Sequence, residues 1–140
     1  MATRKVGFMR VSTRARYGLR ILIELARLKE GEFLPLREIG ARLGVSKKYL
    51  ERIVRILEAE GIIIARKGVK GGYRLRIPTY EINLFDLLSM LEGKIALSDC
   101  LISGCQREED CLASRFWLKL GQSIRTLLNR QSLADVLEVR

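Results

Sequence analysis

Histidine is missing from this chain of 140 residues. A cysteine nucleophile ordinarily relies on a base such as histidine, so nucleophilic catalysis has little to work with here. Adjacent carboxylates occur only as Glu108-Glu109-Asp110. The one glycine-rich segment, Gly68 to Gly72, lies in a strand turn with no helix after it, unlike a phosphate-binding loop. The sequence therefore does not read as an enzyme. No apolar run approaches the roughly 20 residues that span a bilayer. Met1-Ala-Thr-Arg-Lys5 is basic, but no apolar leader core follows it. Cysteines number three, an odd count for a disulfide framework. The expected location is the cytoplasm, where thiols stay reduced. Internal repeats and low-complexity segments are also lacking.

What is present is positive charge, unevenly placed. Residues 1–78 hold 19 Lys and Arg against 7 Asp and Glu, whereas residues 79–140 hold 7 against 9. The whole positive excess thus belongs to the first half, as contact with a phosphate backbone requires. With 48% apolar residues the chain is long enough to bury a real core as one compact structural unit.

That first half centres on residues 36–77. Leu36, Ile39 and Leu43 recur at helical spacing after Pro35, and Gly44 stops the helix. Val45 can plug the corner that follows. Ser46 can cap a second helix by accepting from its first-turn amides. Leu50, Ile53, Val54 and Leu57 form that helix's apolar stripe, and Gly61 ends it. Lys47, Lys48, Glu51, Arg52 and Arg55 take the other side. Two short helices around a glycine turn, the second exposing cations near its start, make a helix-turn-helix.

A hairpin follows. Ile62 to Arg66 is a β-branched run, and Tyr73, Leu75 and Ile77 alternate with Arg74 and Arg76 at strand period. Lys67-Gly68-Val69-Lys70-Gly71-Gly72 joins them, with glycines that permit positive φ and close backbone approach. Lys67 and Lys70 at such a tip suit phosphates or base edges. A helix pair and hairpin with a merely solvated cationic face is the plainer alternative.

Elsewhere, residues 1–10 read as a basic arm. A helix is expected from Ser12 to about Lys29, with Gly31 as its stop and apolar residues on two sides. Arg14, Arg16 and Arg20 could meet the DNA backbone or simply be solvated. Asn83 can cap a helix from Leu84 to Leu91. A long helix from Cys111 carries Phe116, Trp117, Leu120, Ile124, Leu127 and Leu128 near coiled-coil a and d spacing. Such a face calls for a twofold partner or for its own domain. Ser132 caps a last short helix, Leu133 to Val139.

Cys100, Cys105 and Cys111 fall within twelve residues. Thiols so close in a reducing compartment can converge on one metal centre. Cys111 also stands at a helix N-terminus, where a thiolate is favoured. An iron–sulfur cluster, zinc, a thiol switch and incidental proximity all remain open on spacing alone.

Taken together, Val11-Ser-Thr-Arg-Ala-Arg-Tyr-Gly-Leu19, Val45-Ser-Lys-Lys-Tyr-Leu-Glu51, Gly68-Val-Lys-Gly-Gly-Tyr73, the three-cysteine loop followed by Trp117, and Ser132-Leu-Ala-Asp135 resemble the IscR-type winged-helix regulators. The resemblance runs from Met9 to the C-terminal region. That family includes iron–sulfur sensors of cluster status and nitric oxide, and a cluster-free branch controlling cysteine metabolism. The resemblance implies a mainly α fold with a small β-hairpin wing. A winged helix-turn-helix would cover residues 9–78, and the cysteine loop and dimerisation helices residues 79–140. It further implies a homodimer whose long helices cross, a repressor of transcription, and a cluster of the two-iron kind on Cys100, Cys105 and Cys111. A cluster-free regulator controlled by a partner protein, zinc or a thiol switch is the alternative.

By position, Tyr49 and Glu51 match recognition-helix residues that face bases in the family, and Lys67 matches a wing arginine of the minor groove. Ser46, Lys47, Lys48, Arg52, Arg55 and Lys70 complete the expected DNA-contacting set. Glu51 makes sense independently: a carboxylate accepts from cytosine N4 but is repelled by phosphates, so it selects among bases. Pairing with Arg55 within the helix is its plainer role. The chain departs from the family in two ways. Its first two cysteines are closer than in the cysteine–histidine cluster binders, and Ser114 stands where those have histidine. Another branch uses an acidic ligand near the start of the partner subunit's first helix, at a position where this chain has Arg16. The fourth ligand is left among Asp99, Glu108, Glu109, Asp110, Ser114, an exogenous thiol or water, or none.

Overall fold

The first helix begins where Ser12 can satisfy its amides. The structure, a computed structural model, describes residues 10–93 and 111–139, with α1 at Thr13–Ala26. Residues 1–9 of the expected basic arm over 1–10 lie outside the described residues, as do Cys100, Cys105 and the fourth-ligand candidates Asp99, Glu108, Glu109 and Asp110. Ser12 Oγ accepts the Ala15 amide at 3.1 Å, and the Ser12 amide itself donates to Glu92 Oε1 at 2.6 Å. The helix closes earlier than Lys29. The Arg27 amide donates to the Glu24 and Leu25 carbonyls, tightening the last turn. Leu28 then packs against the core, and Gly31, at φ +81°, sits in the turn beyond. This early stop lets the chain double back so that Leu34 reaches the wing.

The helix-turn-helix follows as read. Helix α2 (Leu36–Leu43) ends on Gly44 at φ +71°, and Val45 donates to the Gly40 carbonyl. Helix α3 (Lys47–Ala59) starts on Ser46, whose hydroxyl accepts the Tyr49 amide at 3.3 Å. Strands β1 (Ile63–Arg66) and β2 (Gly72–Leu75) pair antiparallel, with Ile63 opposite Leu75 and Arg66 opposite Gly72. Leu34 adds a short third rung by exchanging both backbone hydrogen bonds with Tyr73 at 2.9 Å. Gly72 permits this. Its φ is +142°, and a Cβ there would overlap the Leu34 carbonyl.

Past the wing, a 3-10 turn (Thr79–Glu81) leads into α4 (Leu84–Glu92), capped by Asn83 Oδ1 on the Asp86 amide. Helix α5 (Leu112–Asn129) is capped by Cys111, and α6 (Leu133–Glu138) by a Ser132–Asp135 capping box. The Leu133 amide donates to the Ile82 carbonyl at 2.9 Å, which brings the C-terminal helix back onto the start of α4. Ile21, Leu22, Ile39, Leu50, Ile53, Leu57, Leu87, Leu91 and Leu133 share one buried cluster. Each such side chain contributes about 1.5–3 kcal/mol on removal from water.

Helix α5 behaves differently. Ser114 is its buried residue, and Arg125 lies over the Phe85 ring of α4 at 4.8 Å. At 100° per residue the opposite face carries Leu112, Phe116 and Leu127, whereas Leu120 and Ile124 are half-buried. Leu112 is 78% exposed, Phe116 57% and Leu127 62%.

Two substitutions test this packing by chemical denaturation. Leu57→Ala should cost about 2–5 kcal/mol as a core cavity. Gly72→Ala should cost about 2 kcal/mol or more, through clash and backbone strain rather than reduced apolar burial.

Candidate nucleic-acid interface

Because α3 buries Leu50, Ile53, Val54 and Leu57 completely or nearly so, its remaining directions are fixed. Lys48, Arg52 and Arg55 fall opposite that stripe and are exposed. Tyr49 lies on the flank toward α1. There its ring meets Tyr17 edge-on, with centroids 5.6 Å apart at 80°. Arg16 and Arg20 stack on Tyr17 at 6.0 and 5.3 Å, so a cationic edge adjoins the start of α3. Aromatic pairs of this kind are worth about 0.5–1.5 kcal/mol beyond burial, enough to hold the Tyr49 ring in place.

Glu51 lies on the other flank, toward the wing. The phenol of Tyr73 on β2 titrates above its ordinary range, first because burial disfavours the phenolate and then because Glu58 and Glu51 repel it. Arg55 offsets part of that repulsion. Recognition helix and wing therefore share one electrostatic neighbourhood. Lys67, Val69 and Lys70 occupy the exposed hairpin tip. Gly71 makes the tip possible, since a Cβ there would run into the Arg66 carbonyl.

Ion pairing sorts the cations. Arg42 bridges Glu24 and Glu38 at 3.2 and 3.3 Å, and Arg27 pairs with Glu24 at 3.2 Å. Among the described residues, no ion pair engages Lys47, Lys48, Arg52, Arg55, Lys67 or Lys70. Glu51 and Arg55 do not pair with each other either. Cations left without carboxylates on one side of the molecule favour an external polyanion.

Of the cysteines, Cys111 is described. Its sulfur accepts the Ser114 amide at 3.4 Å at the start of α5. Among the described residues, no three metal-ligating side chains gather. Tyr17 and Phe33 are the residues that sequence reading did not single out. The spacing of Tyr17 and Arg20 along α1 hinted at the first, whereas Phe33 depends on a non-local strand register.

A helix-turn-helix with a β-hairpin wing and a cationic recognition face defines a winged-helix DNA-binding regulator. The chain matches the family described as Rrf2, iron-dependent transcriptional regulator, over residues 11–139, and it belongs to that family. It is 32% identical over 131 residues to the protein rrf2 of Nitratidesulfovibrio vulgaris, covering 92% of this chain and 87% of that protein. With the HTH-type transcriptional regulator IscR of Vibrio cholerae it shares 28% identity over 130 residues, covering 92% and 75%. The solved structure of CymR, the global cysteine regulator of Bacillus subtilis, superposes with a TM-score of 0.80 at 28% identity, covering 93% and 97%. The chain is a regulator of transcription and not an enzyme.

Helix α3 and the hairpin tip should separate in binding titrations. Glu51→Ala should reduce discrimination between preferred and altered sites by about 1–3 kcal/mol, with a smaller change in overall affinity. Lys70→Ala should weaken all duplexes alike and lower the salt slope by about one.

Proposed function

We propose that the protein is a cytoplasmic homodimeric repressor that reads an imperfect palindrome and reports on iron–sulfur, redox or nitric oxide status through its cysteine loop. The observation carrying the dimer is the apolar face of α5, which lies opposite its contact with α4. Phe116 and Leu127 on that face would be costly to leave in water, and a self-complementary crossing of two α5 helices covers both copies at once. In this reading Ser46, Lys47, Lys48, Tyr49, Glu51, Arg52 and Arg55 enter the major groove, while Lys67 and Lys70 reach the adjacent minor groove. Half-sites would then lie about one helical turn apart. Sedimentation of the protein with its selected duplex should give two copies per site. One copy bound with full affinity overturns the dimer.

Cys100, Cys105 and Cys111 would hold an iron–sulfur cluster of the two-iron kind. The donor set suits it: thiolates are the preferred ligands of such iron, and Cys111 at the first turn of α5 has a helix amide on its sulfur. When bound, the cluster supplies a redox-sensitive link between the cysteine loop and α5. With no histidine in the chain, the fourth position is an oxygen ligand, an exogenous thiol or open. That same absence, with the likeness to CymR, favours a second reading in which a partner protein, zinc or a thiol switch replaces the cluster.

Anaerobic reconstitution with iron and sulfide separates the two. The first reading expects a coloured product with stoichiometric iron, and DNA affinity that changes when all three cysteines become alanine. A colourless product sinks the cluster, and unchanged affinity in the triple variant sinks sensing through this loop.

A further inference from the structure

The inner face of the hairpin looks toward α3, since Tyr73 meets the fields of Glu51, Glu58 and Arg55 there. Side chains alternate across a strand, so the register puts Ile64, Arg66, Gly72 and Arg74 together on the outer face. Leu34 stands opposite Tyr73, which sends its neighbour Phe33 to that same outer face. The consequence is visible in the side chains. The Arg66 guanidinium lies 5.4 Å from the Phe33 ring centroid and that of Arg74 lies 5.0 Å from it.

One aromatic ring thus holds two cations. Among the described residues neither Arg66 nor Arg74 forms an ion pair. Glu32 lines the same open hollow as Phe33, Arg66 and Lys70, yet it pairs with neither arginine. Among the described residues, the enclosed Arg74 Nε has no hydrogen-bond partner. A stacked guanidinium has already given up much of its rotamer freedom, so it forms a bidentate bond to an oxyanion at lower entropic cost than a free side chain.

We infer that Arg66 and Arg74, stacked on Phe33, form a second DNA-phosphate site on the outer face of the wing. This rests on the DNA-binding reading of α3 and the hairpin tip, and extends it. With α3 in a major groove and the tip in the next minor groove, the outer face looks along the duplex away from α3. It meets the backbone beyond the wing. The surface is continuous with Lys70, whose side chain borders the same hollow. Phosphates on that flank carry no base identity, so the site adds affinity and fixes register without adding sequence preference.

The test uses duplexes enriched from a random-sequence pool by the wild-type protein. They are then prepared with native flanks or trimmed by about half a helical turn (~5 bp) at each end. Affinity is measured across a salt series by fluorescence anisotropy. On the long duplex, Arg66→Gln and Arg74→Gln should each lower the salt slope by about 0.9 for every phosphate left unneutralised. On the trimmed duplex they should match the wild type. Arg74→Lys should restore the slope, because a point charge still meets the phosphate, whereas a purely structural role on Phe33 would shift only the melting temperature. Wild-type slopes in both glutamine variants on the long duplex overturn the site. If the Lys70→Ala slope falls in the same experiment, only this inference fails. Failure of the wild type to bind any duplex overturns the DNA-binding reading along with it.

Discussion

The cationic side of the molecule depends on α3 being anchored along a single stripe. Leu50, Ile53, Val54 and Leu57 are buried against α1, α2 and β1, and a helix pinned along four such residues cannot rotate about its axis without exposing them. The other directions follow: Lys48, Arg52 and Arg55 outward, Tyr49 toward α1, Glu51 toward the wing. Recognition demands groups held to fractions of an ångström, and here the hydrophobic core supplies that rigidity. Ser46 adds a capped first turn, so the N-terminal end of the helix does not fray.

A second constraint concerns where carboxylates are kept. Glu24 and Glu38 are engaged with Arg27 and Arg42, pairs exposed enough to be worth less than about 1 kcal/mol each. Their effect on stability is therefore small. Their effect on the field is larger, because acids held beside α1 and α2 do not neutralise the cations of α3 and the wing. Glu51 and Glu58 are the carboxylates that α3 itself carries, and both bear on the Tyr73 phenol of the wing.

Local signals carried most of the fold. Gly44 and Gly61 mark the ends of helices α2 and α3. Ser46, Asn83 and Ser132 all cap the helices their neighbours' periodicity announces, because capping involves residues three apart. What escaped was non-local. The pairing of Leu34 with Tyr73 joins segments nearly forty residues apart, and no periodicity in either one reveals it. The early end of α1 and the stacking of Phe33 both follow from that pairing. The Tyr17–Tyr49 contact was hidden for the same reason, since it depends on how α1 crosses α3. Candidate cations could be named from sequence, but which of them lie unpaired on one surface needed the packing.

The central claim is that α3 and the hairpin tip enter neighbouring grooves of one duplex. Photocrosslinking tests it most directly, with p-benzoylphenylalanine placed at Val69, which is fully exposed at the tip, and at Glu138 in α6 as a remote control. Entry into neighbouring grooves predicts crosslinks from position 69 to minor-groove atoms at a fixed distance from the operator centre, and none from position 138. Crosslinks of equal yield from both positions, or scattered along the duplex from position 69, would contradict it.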